Sequence, residues 1–316
     1  AMVEHIKADI CIIGAGSGGL SVAAGAAQLG QRVVLIERHK MGGDCLNYGC
    51  VPSKSLIAAA SHAHAVRRAR EFGVDAGEPK TDFARVMRHV HAVIAAIEPN
   101  DSVERFEKLG VRVIKASARF VSGDEVEAGD HRIKARYFVV ASGSSPLKVP
   151  IPGLDQTPYF TNETVFDNTV LPEHLIVVGG GPIGLELAQA HRRLGARVTV
   201  LEAKQILPKD DPEAAAIVRE SLVKDGLVIH ENAAVTAVAK AKDGVAVTIS
   251  RDGKSEVIAG SHLLLAVGRA ANVEGLGLDA AGVKYSRKGI EVDARLRSSN
   301  GRVYAIGDVA GGLQFT

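Results

Sequence analysis

A chain of 316 residues, 46% hydrophobic and 23% charged, has the composition of a soluble globular protein and enough length for two domains with cores of ordinary size. A formal net charge of +2 gives no basic field of the kind that nucleic acid or an anionic membrane surface selects, so neither is expected as a partner. No run reaches the ~20 apolar residues of a membrane span, Lys7 and Asp9 break any signal-peptide pattern, and three cysteines are too few for a secreted disulfide framework; a cytoplasmic protein is expected.

Along the chain, the run from Ala8 to Ile13 reads as a central parallel strand. Gly14-Ala15-Gly16-Ser17-Gly18-Gly19 follows, then a small-residue helix from about Leu20 to Leu29 that stops at Gly30, then a strand from Arg32 that ends on Glu37. Strand, Gly14-x-Gly16-x-x-Gly19, helix, strand and acid together form a dinucleotide fingerprint. The glycines allow a tight turn and bring backbone N–H groups to a pyrophosphate at the helix N-terminus, while Glu37 accepts from a ribose hydroxyl. Cys11, inside the strand, is expected to be inert packing.

Gly42 to Lys54 holds the other two cysteines, Cys45 and Cys50, four residues apart. A disulfide closing so small a ring contributes only roughly 2 kcal/mol, a poor staple. Pro52 suits the first turn of a helix that continues through Ala60, placing Cys50 just ahead of a helix N-terminus and Lys54 about one turn in. Both features favour a thiolate, so the pair reads as a redox dithiol. Zinc is disfavoured because Cys11 is sequestered and no histidine lies at ligand spacing; no metal site is expected.

Phe72 to about Lys115 reads as helical, with Phe83, Val86, Val90, Val93, Ile94 and Ile97 as its core stripe, and Arg67-Arg68-Ala69-Arg70 as a solvated face. Short strands follow up to Tyr137-Phe138-Val139-Val140, which runs into Ala141-Ser142-Gly143. Pro150, Pro152 and Gly153 mark a domain boundary near 150. The fingerprint then recurs: His174 to Val178, Gly179-Gly180-Gly181-Pro182-Ile183-Gly184, a helix to Gly195, and a strand from Arg197 to Glu202. Six positions (Gly14, Gly16, Gly19, Gly30, Arg32 and Glu37) match at one constant offset of 165 residues, as from 14 to 179. Two duplicated α/β units with two dinucleotide sites are therefore expected. Val235 to Ser250 and Glu256 to Ile258 read as a small antiparallel sheet. A strand from His262 closed by Gly268 and Arg269 marks a second boundary, and Val303-Tyr304-Ala305-Ile306-Gly307-Asp308 is the last recognisable motif.

Taken together, Cys45-x-x-x-x-Cys50-Val51-Pro52-Ser53-Lys54 after Glu37, the second glycine motif and Gly307-Asp308 resemble the flavin-dependent pyridine nucleotide–disulfide oxidoreductases, whose members include dihydrolipoamide dehydrogenase, glutathione reductase and mercuric reductase. The resemblance implies an α/β fold of two Rossmann-like domains, one inserted in the other, with small antiparallel meanders. An FAD-binding part would span 1–149, an NAD-binding domain 150–269, and a return to the FAD domain 270–316. It implies FAD at Gly14, Gly16, Gly19, Glu37, Gly43, Ser142, Gly143 and Asp308, and NAD at Gly179, Gly181, Gly184, Glu202 and Gly268. NAD is favoured over NADP because a carboxylate at 202 repels a 2′-phosphate, although Lys204 and Lys209 lie nearby. Cys50 would be the thiol against the flavin and Cys45 the outward, exchanging thiol. Lys54 would stand beside the flavin, with Glu186 pairing it and offsetting the cost of its burial.

Dihydrolipoamide dehydrogenase is the member most resembled, acting on a small-molecule or lipoyl-type disulfide, with a mercuric reductase-like enzyme or a non-catalytic nucleotide-binding fragment as alternatives. Pro182 stands where glutathione reductases carry an aromatic gate, Ser142 where threonine is usual, and Tyr48 has no reading. The resemblance also implies a further dimer-interface domain that gives a His–Glu acid/base pair to the partner of a homodimer. No residue here matches that domain, so the chain is expected to end before it and to be impaired in disulfide turnover and in family-type dimerisation. His62, His64, His89, His91 and His191 are expected to be solvated or packed.

Overall fold

Glu4–Ile13 (β1) begins four residues ahead of the expected Ala8, because Glu4 to Ala8 pair in parallel with His131 to Ala135 of a second long strand. The computed structural model describes residues 3–312 and 314. Gly16 caps Ser17–Gln28 (α1), which starts earlier than the expected Leu20 and has no side-chain cap, so its first-turn N–H groups lack protein partners within the helix. Val33–Ile36 (β2), Gly43–Asn47 (α2) and Cys50–Arg68 (α3) follow.

The stretch expected to be helical from Phe72 to Lys115 is broken into Phe83–Ile97 (α4), Val103–Lys108 (α5) and the strand Arg112–Ile114 (β3), with 3-10 turns at Ala69–Phe72 and Glu98–Asp101. Left-handed Gly73, Gly77 and Gly110, with Pro79 and Pro99, cause the breaks. Of the expected stripe Phe83 and Val90 are buried, together with Met87; Val86, Val93, Ile94 and Ile97 are only half-buried. Ala118–Ser122 (β4), Glu125–Ala128 (β5), His131–Val140 (β6) and Ser144–Pro146 (β7) complete the first pass.

The second fingerprint comprises His174–Val178 (β8), Pro182–Arg193 (α6) and Arg197–Leu201 (β9), followed by Pro212–Lys224 (α7) and Val228–His230 (β10). Ala234–Ala241 (β11), Gly244–Arg251 (β12) and Lys254–Gly260 (β13) form the expected antiparallel sheet ahead of His262–Leu265 (β14). Arg269–Ala271 (β15), Tyr285–Ser286 (β16), Gly289–Ile290 (β17) and Val303–Ala305 (β18) close the chain.

Two compact units result. The first contains the chain up to Cys50, Ile94–Ser145 and the part from Arg269 on; the second contains Val51–Val93 and Pro146–Gly268. In the first, β3-β2-β1-β6 run parallel, β18 joins the C-terminal half of β6, and β5 and β4 extend antiparallel from its N-terminal half. β1 is buried on both faces: Cys11 and Ile13 pack with Phe138 and Val303, and Ile12 packs with Leu20, Ala23 and Phe106. Two-sided burial is what a central parallel strand requires, and it explains the apolar run read in the sequence. The second unit repeats the plan as β10-β9-β8-β14, with β11-β12-β13 as a separate meander packed over Ile176, Val178 and Leu201. Among the described residues no helix is long and apolar enough to cross a membrane.

Candidate active site: two glycine loops and a cysteine pair

Each unit turns from its first strand into its helix through glycines that admit no side chain. Gly14 has φ +105° and Gly179 φ +113°; a methyl group on either would stand 2.3 or 2.2 Å from the carbonyl oxygen of Ala141 or Ala266 in the neighbouring strand end. Gly16 and Gly181 are the N-caps of α1 and α6, and Gly19 and Gly184 sit in their first turns. Neither cap has a side-chain hydrogen bond, which leaves two helix N-termini with donors and positive dipole ends, the physical requirement for a phosphate.

The two acids behave alike. Glu37, buried, accepts from the N–H of Ala15 (2.8 Å) and of His39 (2.7 Å); Glu202 accepts from Gly180 (2.7 Å) and Lys204 (2.9 Å). Each carboxylate therefore braces its glycine loop as well as retaining lone pairs for a ribose hydroxyl, a bracing role the sequence did not disclose. Gly143 (φ +69°) and Gly268 (φ +114°) occupy the turns after β6 and β14.

In the first unit the cysteine segment lies directly on the glycine loop. A methyl on Gly43 would be 2.6 Å from the Cα of Gly16. Cys45 lies in α2, and Cys50 is the first residue of α3 rather than preceding it. Both are half-buried thiols hydrogen-bonded to one another, so Cys45, expected outward, is no more than partly exposed. Burial, reinforced by Cys50 and by Asp101, pushes the Cys45 thiol up to about 12, against a donated Cys50 backbone N–H that favours its thiolate. Burial alone raises Cys11, which is fully enclosed, so that cysteine is inert.

A pyridine nucleotide-disulphide oxidoreductase family model matches residues 8–316. The chain belongs to that family. It is 35% identical to a mercuric reductase of Streptomyces lividans and 37% identical to a dihydrolipoyl dehydrogenase of Thermus scotoductus, in each case over 96% of this chain and 66% of the relative. Among solved structures, the HOCl-induced flavoprotein disulfide reductase RclA from Escherichia coli superposes with a TM-score of 0.84 at 29% identity, covering 97% of this chain and 67% of that one. The chain thus spans about two thirds or less of the length of the curated relatives it matches.

Lys54 and Glu186, expected to pair, meet within the second unit: Lys54 Nζ lies 2.9 and 3.0 Å from the two Glu186 oxygens. In the protein alone the two side chains are 59% and 40% exposed. Ser142 Oγ donates to the Asn272 carbonyl and Asn272 Nδ2 returns a bond to the Ser142 carbonyl, tying the 141–145 turn to the chain beyond Ala271. Asp308 Oδ2 accepts from Ser144 Oγ at 2.5 Å and lies 3.9 Å from Arg269 Nε. Arg269 also reaches Asp44 (Nη2–Oδ1 3.2 Å) and Ser144. Nothing in the sequence points to Arg269, Asp44, Ser144 and Asn272 as neighbours, because contacts across so long a stretch of chain leave no local pattern.

Tyr48 closes α2, with Lys40 Nζ 5.4 Å from its ring centroid, a cation–π contact. Of the histidines, His191 is buried, His64 lies 3.7 Å from Asp225, and His91 Nε2 is 2.9 Å from the Phe166 carbonyl. Among the described residues no group of three His, Cys, Asp or Glu side chains gathers at metal-binding distance.

Proposed function

We propose that this chain passes electron pairs between NAD(H), FAD and a Cys45–Cys50 disulfide in the manner of dihydrolipoamide dehydrogenase. The observation that carries the reading is the cysteine segment seated on the first glycine loop, Gly43 against Gly16, with the two thiols hydrogen-bonded to each other. The residues present fit two dinucleotides: each loop excludes side chains where backbone N–H groups would meet a pyrophosphate, and each carries an acid at the ribose position. FAD belongs at Gly14, Gly16, Gly19, Glu37, Gly43, Ser142, Gly143 and Asp308; the nicotinamide cofactor belongs at Gly179, Gly181, Gly184, Glu202 and Gly268.

When bound, the two cofactors supply two-electron hydride chemistry. The chain's own part is thiol chemistry. Closing the Cys45–Cys50 disulfide removes two electrons and two protons from the thiols, and opening it returns them. Cys50 is the first residue of α3, at the N-terminus of that helix and hydrogen-bonded to Cys45, placed to exchange the disulfide with it. Cys45 holds its proton at neutral pH, so its attack on a substrate disulfide requires a base. In the family that base is a His–Glu pair of the partner subunit, and family-type homodimerisation is accordingly part of the proposal. Lys54 and Glu186 form the family's charged pair, and Glu202 selects NAD over NADP.

The test is anaerobic titration of the FAD-loaded protein with NADH and with NADPH. A long-wavelength charge-transfer band after two electrons, lost in Cys50→Ser, supports the reading; its absence, or a clear NADPH preference, overturns the corresponding part. Mercuric reductases match at similar identity to dihydrolipoyl dehydrogenases, which supports a second reading in which the dithiol binds and reduces Hg(II). NADH oxidation driven by Hg(II) but not by lipoamide would favour it.

A further inference from the structure

The helix that carries Cys45 has little reason of its own to stay in place. α2 is five residues long, and the two residues at its start, Gly42 (φ +85°) and Gly43 (φ +58°), are both left-handed glycines. So short a helix has no independent stability in water. Its far end is held by Leu46, which is buried, and by Asn47, whose Nδ2 donates to the Met41 and Gly43 carbonyls. Its near end rests on the glycine loop through Gly42 N–H to the Ala15 carbonyl (2.9 Å) and Gly43 against Gly16, and the side chain next to Cys45 is held separately: Asp44 Oδ1 is 3.2 Å from Nη2 of Arg269.

Arg269 is built to hold it. Its side chain is 7% exposed, its Nε donates to Ser144 Oγ (2.7 Å) and its Nη2 to the Ser144 carbonyl (2.8 Å), while Ser144 Oγ in turn donates to Asp308. One guanidinium thus stands between two carboxylates, Asp44 on the cysteine helix and Asp308 on the 3-10 turn Gly307–Ala310, with Ser144 as the hinge between them. A planar guanidinium held at several points fixes direction as well as distance, which an ammonium does not.

We propose that Arg269 is the positioning residue of the redox helix, acting through Asp44 to fix where Cys45 stands relative to Cys50 and to the segment bearing Asp308. This rests on the reading of Cys45–Cys50 as a redox dithiol. Relaxing the Asp44–Arg269 link removes the charged contact at the residue next to Cys45, so Cys45 samples more positions, meets Cys50 less often and becomes more open to reagents.

Two measurements on the purified protein test this: equilibration of the dithiol in glutathione buffers, and the rate of Cys45 carbamidomethylation in the reduced state, assigned by peptide mass. Asp44→Asn, which keeps the shape and removes the charge, is expected to disfavour the disulfide and to speed Cys45 alkylation, each by at least about threefold. Arg269→Gln is expected to act in the same direction, Arg269→Lys to recover only part, and the Asp44→Asn/Arg269→Gln pair to do no more than the larger single change. Wild-type values in Asp44→Asn, or effects of the two singles that simply add, overturn the proposal. Asp44→Asn carries the test even where Arg269→Gln fails to fold. Failure of the wild-type protein to form any Cys45–Cys50 disulfide is a different result, and it would remove the dithiol reading itself.

Discussion

The two units are one design carried out twice, and they differ where each must do something of its own. The match at 165 residues continues past the glycine motifs into tertiary hydrogen bonds: Gly42 N–H donates to the Ala15 carbonyl, and Leu207 N–H to the Gly180 carbonyl, both at 2.9 Å. Both donors have a left-handed backbone, φ +85° at Gly42 and φ +50° at Leu207, although only the first is a glycine. The chain thus accepts at Leu207 a conformation that costs a side-chain-bearing residue about 1–2 kcal/mol, to keep the turn that crosses the loop. The loops then part. Gly16 is covered by Gly43 of the cysteine segment, whereas a methyl at Gly181 would meet nothing within 4 Å. Ser21 and Ala26 of α1 correspond to Glu186 and His191 of α6, so the second helix carries a charged pair and a buried base on positions that are small in the first. The lesson is that the shared residues are those that shape the backbone, and the divergent ones are those whose side chains have somewhere to go.

The largest effect expected from that contrast is at the covered loop. Gly43→Ala puts a methyl into the Gly16 backbone at a left-handed position and should cost about 3 kcal/mol of unfolding free energy, with loss of FAD; Gly181→Ala should stay within about 0.5 kcal/mol. Urea melts of the two variants decide it, and equal losses would break the comparison. Next are the braces. Glu37→Gln turns an amide N–H2 toward backbone donors in a buried site and should cost about 2 kcal/mol, with Glu202→Gln, half-buried, costing less.

The buried base gives a pH effect confined to the second unit. Burial holds His191 below its ordinary range near pH 6.5, and His174 and His262 shift the same way for the same reason. Below that pH the unfolded chain binds protons that the folded one refuses. Stability is therefore full above about pH 6.5 and falls as the pH drops toward the folded values, by up to about 1.4 kcal/mol per pH unit for each histidine. His191→Leu should flatten that slope by one proton between pH 7.5 and 5.5 in denaturant titrations; an unchanged slope would show that the folded protein already protonates it. The smallest effect is at the exposed pair, where Glu186→Gln should change unfolding free energy by less than about 1 kcal/mol whatever it does to turnover.

What the sequence disclosed was whatever is imposed locally. Gly14 and Gly179 are legible because only glycine fits against Ala141 and Ala266, and β1 and β8 because two-sided burial leaves an apolar run. Arg269 was visible only as the end of a strand, since nothing near it in the chain shows that Asp44 and Asp308 converge on it. The stripe on α4 overstated burial because helical spacing reports a face, not how much of that face is covered. The division of Val51–Val93 from the residues before it falls one residue into α3, where Gly49 and Pro52 signal the start of a helix and not a boundary between units.

The close approach of Gly43 to Gly16 has a consequence for motion. Two backbone segments this near cannot swing apart singly: opening the loop at Ala15–Gly19 uncovers the turn at Gly42–Leu46, and the reverse. Their amides should therefore exchange with solvent as one cooperative group with a common opening free energy, so that the slowest breathing of the phosphate loop also sets how often the cysteine turn is laid bare.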